Sequence, residues 1–219
     1  MFKPLTADDG HRFECWMQPA EGSPQGGLVI LQEIFGVTEQ LRGVARDYAA
    51  KGFNIAIPAL FDRQQRGAII PFDNAAPGRD MMLAAKPDDT MRDIAAAVNA
   101  LAQTSNKVAV LGFCWGGGLA IRAAQVLDIA CAVRFYGTRL PQYMDMALGK
   151  PVQGHFGTRD DHVPPEMLDQ ARAAFPTLEI HMYDCGHAFA NDARPDAYDA
   201  EAATLAHARA QAFLSTHLG

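Results

Sequence analysis

Again and again along the chain, a short run of mainly apolar residues stops at glycine, proline or aspartate and gives way to a segment with helical spacing. The runs are GGLVILQE (26–33), FNIAIP (53–58), KVAVLGF (107–113), IACAVRFYG (129–137), VQGHFGTRD (152–160) and LEIHMYD (178–184). A strand with one wet face alternates polar and apolar residues. These runs are largely continuous, so both of their faces must be covered. Between them, 39–52 carries Leu41, Val44, Ala45 and Tyr48 on one helical face and ends at Gly52, and 90–103 does the same with Ile94, Val98 and Leu101. Helices are also expected over 115–127, 165–175 and 196–218. Connections of this length are too long for hairpins. The pattern predicts an α/β protein with a mostly parallel central sheet flanked by helices on both faces. The amphipathic stretch HRFECWMQP (11–19) reads as an antiparallel edge strand.

A chain of 219 residues fits a single domain of this kind, and 59–89, rich in Pro, Gly, Asp and Arg with a short helical piece at 78–85, reads as its lid or substrate segment. Hydrophobic residues make up 49% and charged ones 20%, with a net charge of −6 and no clustered basic face, which argues against a nucleic-acid surface. The N-terminus lacks the apolar core of a signal peptide, and no run is long enough to span a bilayer. The four cysteines form no C-x-x-C pair, so neither a disulfide framework nor a structural metal site is expected. The expectation is a cytoplasmic protein with a small-molecule partner and no nucleic-acid or membrane partner, acting as a monomer or small homo-oligomer.

Within VAVLGFCWGGGLAI (108–121) a buried strand meets a helix at one cysteine fenced by glycines. Gly112 and Gly116 flank Cys114 in the pattern G-x-C-x-G, a sulfur version of the nucleophile elbow, in which the neighbours two before and two after must be tiny for the chain to turn so sharply. The turn sets the sulfur at a helix N-terminus, where first-turn N–H groups favour a thiolate and the Trp115 N–H can face an oxyanion. A dinucleotide-binding turn does not fit, since Cys114 stands where G-x-G-x-x-G needs its second glycine. The blander alternative is a buried structural cysteine beside packing glycines.

Sites on such an elbow run in the order nucleophile, acid, histidine. HFGTRDDHVPP follows one predicted strand and YDCGHAFAND another, offering Asp160 or Asp161 as the acid and His187 as the base, both at carboxyl ends of strands. Helix capping near Pro164 is the competing role for Asp161 and His162. His155 and His181 fall within predicted strands, while His207 and His217 fall on the last helix and read as solvated.

With GFCWGG, GTRDDHVP, CGHAF and VILQEIFGV in this order, the chain resembles the dienelactone hydrolase family, the cysteine branch of the α/β-hydrolase fold, over nearly its whole length. The resemblance implies hydrolysis of an enol-lactone or activated ester without metal or cofactor, through a thioester on Cys114, with His187 shuttling the proton and Asp160 as the orienting acid. It implies oxyanion N–H groups from Ile34 and Trp115. It also implies that Glu33 keeps the cysteine a neutral thiol until substrate binds. On the substrate side the chain departs from the pattern. Asn191 stands where family members carry an arginine, and no tyrosine occurs between Tyr48 and Tyr136. Arg79 is the expected carboxylate ligand, with Arg63, Arg66 and Arg194 in reserve, and Phe35 is an expected pocket residue beside Phe72, Met81 and Met82. A broad esterase or thioesterase with the same triad is the alternative. So is a non-hydrolytic ligand binder that uses Cys114 as a redox sensor, with Cys185 as resolving thiol.

Overall fold

The computed structural model describes residues 1–219. The chain divides into two compact units, one of residues 1–109 with 218–219 and the other of residues 110–217.

The first unit opens with β1 (Phe2–Thr6) and β2 (Arg12–Gln18), followed by β3 (Gly26–Leu31), α1 (Glu39–Ala50), β4 (Phe53–Pro58), α2 (Ala76–Ala84) and α3 (Pro87–Ala102). β3 and β4 are parallel, and every residue of β3 is buried. Burying side chains such as Leu28 and Ile30, both 0% exposed, stabilises the fold by roughly 1.5–3 kcal/mol each. β2 is antiparallel to both β1 and β4, so it is an inner strand and β1 takes the edge. The sequence hid β1 because Pro4 interrupts it. A proline is tolerated on an edge strand, where one side of the ladder goes unpaired.

α1 starts where Thr38 Oγ1 accepts the Leu41 N–H at 3.1 Å, and it stops before Gly52, whose φ of 89° is open to glycine at little cost. α3 begins at Pro87, three residues earlier than its apolar period suggested. Proline at N1 gives up an N–H that no helical carbonyl would receive, and Asp88 and Asp89 follow in the first turn.

The second unit carries the rest of β5 (Val108–Phe113), α4 (Trp115–Val126), β6 (Ala132–Phe135), a 3-10 turn at Leu140–Tyr143, β7 (Val152–Gly157), α5 (Pro165–Ala174), β8 (Leu178–Tyr183) and most of α6 (Ala200–Leu218). β5, β6, β7 and β8 are parallel neighbours in that order. Their carboxyl ends therefore share one edge. All residues of β5, β6 and β7 are buried, whereas β8 exposes Glu179 and Met182 as the last strand. Within the first unit the strand order is β1-β2-β4-β3 and within the second β5-β6-β7-β8, and parallel pairings outnumber antiparallel ones. No helix is long and apolar enough to cross a membrane.

Candidate active site

Cys114 is the residue between β5 and α4, with φ 51° and ψ −113°. For a side chain with a Cβ this is a strained conformation, of the kind that costs about 1–3 kcal/mol and persists only where its surroundings over-determine it. They do so here through the backbone. The Cys114 N–H donates to the Phe135 carbonyl at 3.1 Å, and the Cys114 carbonyl accepts from Gly117, Gly118 and Thr138 N–H groups at 3.0, 3.2 and 3.0 Å. A Cβ on Gly112 would run into the Gly116 carbonyl and lie 2.8 Å from the Gly117 nitrogen. One on Gly117 would come within 2.7 Å of the Gly137 Cα. The glycines are there because backbone occupies the space a side chain would need.

Asp160 follows β7 and His187 follows β8, at the same sheet edge as Cys114. His187 Nδ1 donates to Asp160 Oδ2 at 2.9 Å, and the acid's Oδ1 accepts the His162 N–H at 2.9 Å. The Asp160 side chain is 0% exposed and that of His187 15%. His187 is also hydrogen-bonded to Cys114. With Nδ1 committed to Asp160, the nitrogen left for sulfur is Nε2. Burial pulls the imidazole toward the neutral form, but the hydrogen bond to Asp160, the hydrogen bond and charge of Cys114 and the charge of Asp160 together outweigh it and raise the pKa to about 10. The arrangement can hold an imidazolium between a carboxylate and a sulfur. Ala188, in a left-handed conformation at φ 63°, turns the chain directly after His187. Of the two candidate acids, Asp161 is exposed.

Tyr136, which the sequence did not single out, and His162, which was read as a helix cap although α5 has no side-chain cap, pack on the His187 ring. Tyr136 meets it edge-on with centroids 5.1 Å apart, and His162 lies 4.4 Å away at a tilt. Tyr136 escaped notice because 129–137 read as one strand. β6 ends at Phe135, and Tyr136 has already turned to φ 36°. The other histidines have structural partners. His155 is buried between the Tyr183 hydroxyl at 2.8 Å and Gln153 Oε1 at 2.9 Å, and burial holds its pKa far below the ordinary value. His207, expected to be solvated, instead packs against Phe135 at 4.7 Å.

Glu33, Ile34 and Phe35 follow β3 in the first unit. Glu33 is buried, and Phe35 is buried with its ring 4.7 Å from that of Phe72. Trp115 is the first residue of α4, where N–H groups have no acceptor inside the helix. Arg79 is exposed on α2. Two of the three reserve arginines are engaged within the fold. Arg63 bridges Asp9 at 2.8 Å and the buried Asp93 at 2.8 Å, and Arg66 donates to the Arg12 carbonyl at 2.8 Å. Asn191 is buried, and its Oδ1 accepts the Ala193 N–H at 3.1 Å.

Residues 14–218 match the sequence profile of the dienelactone hydrolase family. The chain belongs to that family. It is 31% identical over 218 residues to carboxymethylenebutenolidase 1 of Cupriavidus pinatubonensis, covering 94% of this chain and 92% of the relative. It is 33% identical over 220 residues to a carboxymethylenebutenolidase of a Pseudomonas species, covering 94% and 90%. Among solved structures, a dienelactone hydrolase-like promiscuous phosphotriesterase from metagenomic libraries superposes with a TM-score of 0.81 at 19% identity, covering 100% of this chain and 99% of that one. An esterase from Pyrococcus furiosus does so at 0.72 and 17%, covering 100% and 93%. At such identities these two likenesses speak for the fold alone, and the fold is the α/β-hydrolase fold that the family resemblance implied. This dienelactone hydrolase family member is a hydrolase by descent, and its elbow, acid and histidine follow the chain order expected for such enzymes.

Proposed function

We propose that the chain hydrolyses a small enol-lactone or activated carboxylic ester through Cys114, His187 and Asp160. The Cys114 sulfur attacks the acyl carbon, and the carbonyl electrons move onto an oxyanion received by the N–H groups of Ile34 and Trp115. The imidazolium of His187 gives its proton to the departing enolate or alkoxide, leaving a thioester on Cys114. Water then adds to the thioester as His187 takes its proton, and the sulfur leaves with the acid product formed. Asp160 holds the ring with Nδ1–H toward itself, so that Nε2 is the nitrogen that exchanges the proton. Glu33 keeps the sulfur protonated in the absence of substrate, takes that proton as the sulfur attacks, and returns it once the sulfur is released. A thiolate suits leaving groups that are themselves stabilised anions, which fits an enol-lactone, and no step calls for a metal or cofactor.

The observation that supports this reading most is the buried hydrogen-bonded chain from Asp160 through His187 to Cys114. A panel of lactones and aryl esters assayed on wild type and Cys114→Ala tests it. Turnover is expected to fall by about 10³-fold or more, and intact mass after brief reaction with an activated aryl ester is expected to show one acyl group on wild type and none on the variant. Survival of most activity in Cys114→Ala removes the sulfur from its role.

A second reading, a broad-specificity esterase or thioesterase using the same site, is favoured by the arginines. Arg63 and Arg66 are committed within the fold, and the buried Asn191 caps the turn that follows it. Neutral esters would then be turned over as well as carboxylate-bearing lactones. The redox-sensor reading gains nothing from Cys185, which is buried, its thiol pushed up to about 12 mainly by burial. Such a thiol yields almost no thiolate to resolve an oxidised Cys114 at neutral pH.

A further inference from the structure

Arg134 is the largest side chain in the molecule that is fully buried, at 0% exposure, and no carboxylate pairs with it. It sits in β6 opposite Gly112 of β5 and Gly154 of β7, and a Cβ on Gly154 would lie 3.5 Å from its Cγ. One face of its guanidinium lies 5.0 Å from the centroid of the Phe156 ring. Its Nε–Nη2 edge lies against Gly137, where an added Cβ would meet Nη2 and come within 2.6 Å of Nε. Nη2 donates to the Gly137 carbonyl at 2.5 Å, while Nε and Nη1 are buried without an acceptor. A buried cation satisfied at one nitrogen of three is a poor device for stability, since removing such charges in favour of well-packed apolar side chains is often neutral or stabilising. A group left so in a native core asks for another reason.

The reason on offer is what Gly137 touches. The turn from Tyr136 to Arg139 has two non-glycine residues at positive φ, 36° and 58°, so it needs an external hold. Its Thr138 N–H donates to the Cys114 carbonyl, its Gly137 Cα packs against Gly117 in the first turn of α4, and its Tyr136 ring lies edge-on to His187. One turn thus contacts both the elbow and the imidazole. We propose that Arg134 is a positioning residue: its guanidinium, wedged between Phe156 and Gly137, clamps the 136–139 turn at the height that keeps Cys114 and His187 in line. This rests on the reading of Cys114 as nucleophile.

The variants Arg134→Met and Arg134→Lys test it, with steady-state kinetics, the acylation burst and the melting temperature read together. Arg134→Met is expected to lower kcat and the burst rate about 10- to 100-fold, with KM within about twofold of wild type and a melting temperature unchanged or higher. Arg134→Lys, which can still offer a charged donor to the Gly137 carbonyl, is expected to recover part of the loss. If kcat stays at the wild-type value, or if it falls only in step with a lowered melting temperature, the proposal is wrong. Should Arg134→Met not fold, Gly137→Ala decides: its Cβ would meet the guanidinium and force it to shift, and an unchanged kcat there overturns the clamp. Turnover surviving in Cys114→Ala would instead overturn the nucleophile, which is a separate outcome.

Discussion

The loops that follow β5, β7 and β8 and the segment 59–89 both carry residues to which a function was attached, yet they hold them in opposite ways. In the loops the polar groups are buried and spent on one another: Asp160 on His187 and on the His162 N–H, and the Cys114 carbonyl on three N–H groups. In 59–89 the interior charges serve the fold, with Arg63 tied to Asp9 and Asp93 and the Asp62 carboxylate receiving the Glu14 and Gly67 N–H groups at 2.8 Å each. What this segment presents outward is loosely held. α2 starts without a side-chain cap, Leu83 is 60% exposed and Ile69 54%. The difference teaches that the proposed chemistry rests on mutual burial, whereas the residues proposed to meet substrate on 59–89 include exposed ones whose substitution costs the fold little.

The sharpest way to break that contrast is Asp160→Asn. An amide cannot stabilise the imidazolium, and its NH2 favours the wrong tautomer, so kcat is expected to fall by about 10³ to 10⁴, measured on an activated ester. A loss below tenfold would mean that the buried pair is only structural. Next in size is the effect of pH. Because the folded His187 titrates near 10, above its ordinary 6.5, its interactions contribute fully to stability below about 6.5 and are lost as pH rises through about 10. Melting temperature is therefore expected to decline across that window in wild type and to decline less in His187→Gln. The same titration predicts a fall in kcat/KM near pH 10, where the acid for the leaving group is lost. A flat profile to pH 11 would place the acid elsewhere.

The comparison also marks what could be read from the sequence. Period and punctuation were enough for the parallel core strands and the long helices, because a strand buried on both faces has few polar positions to confuse the pattern. G-x-C-x-G was legible because the turn needs those glycines whatever surrounds them. Asp160 needed the family resemblance to be chosen over Asp161, since the residues alone do not say which of two adjacent carboxylates faces inward. Tyr136 and Arg134, and the contact of His162 with His187, were out of reach. Their importance arises from where β6 stops and what the following turn touches, which depends on contacts between segments far apart in the chain.

A smaller effect tests the lid side. A Cβ on Gly78 would run into the Ile34 carbonyl, which stands on the loop after β3. Gly78→Ala must shift α2 or that loop. The expected result is a loss of about 1–3 kcal/mol of stability, together with a several-fold rise in KM, read from denaturant unfolding and from kinetics on the same ester. Unchanged KM in a destabilised variant would separate α2 from the substrate altogether.

The smallest expected effect is the most informative about substrate. Arg79 is exposed, so Arg79→Ala should leave stability within about 0.5 kcal/mol of wild type. If its guanidinium meets a carboxylate on the substrate, the contact is solvent-exposed and worth about 0.2–1 kcal/mol, a rise in KM of a few-fold at most. That rise must appear for an ester bearing a carboxylate and vanish for its neutral methyl ester. It must also shrink at high salt, because an exposed pair is screened over about 10 Å at 0.1 M ionic strength. Equal KM values for the two esters in wild type and variant alike would mean that 59–89 selects by shape and apolar contact, with Phe35 and Phe72 rather than Arg79 setting what is accepted.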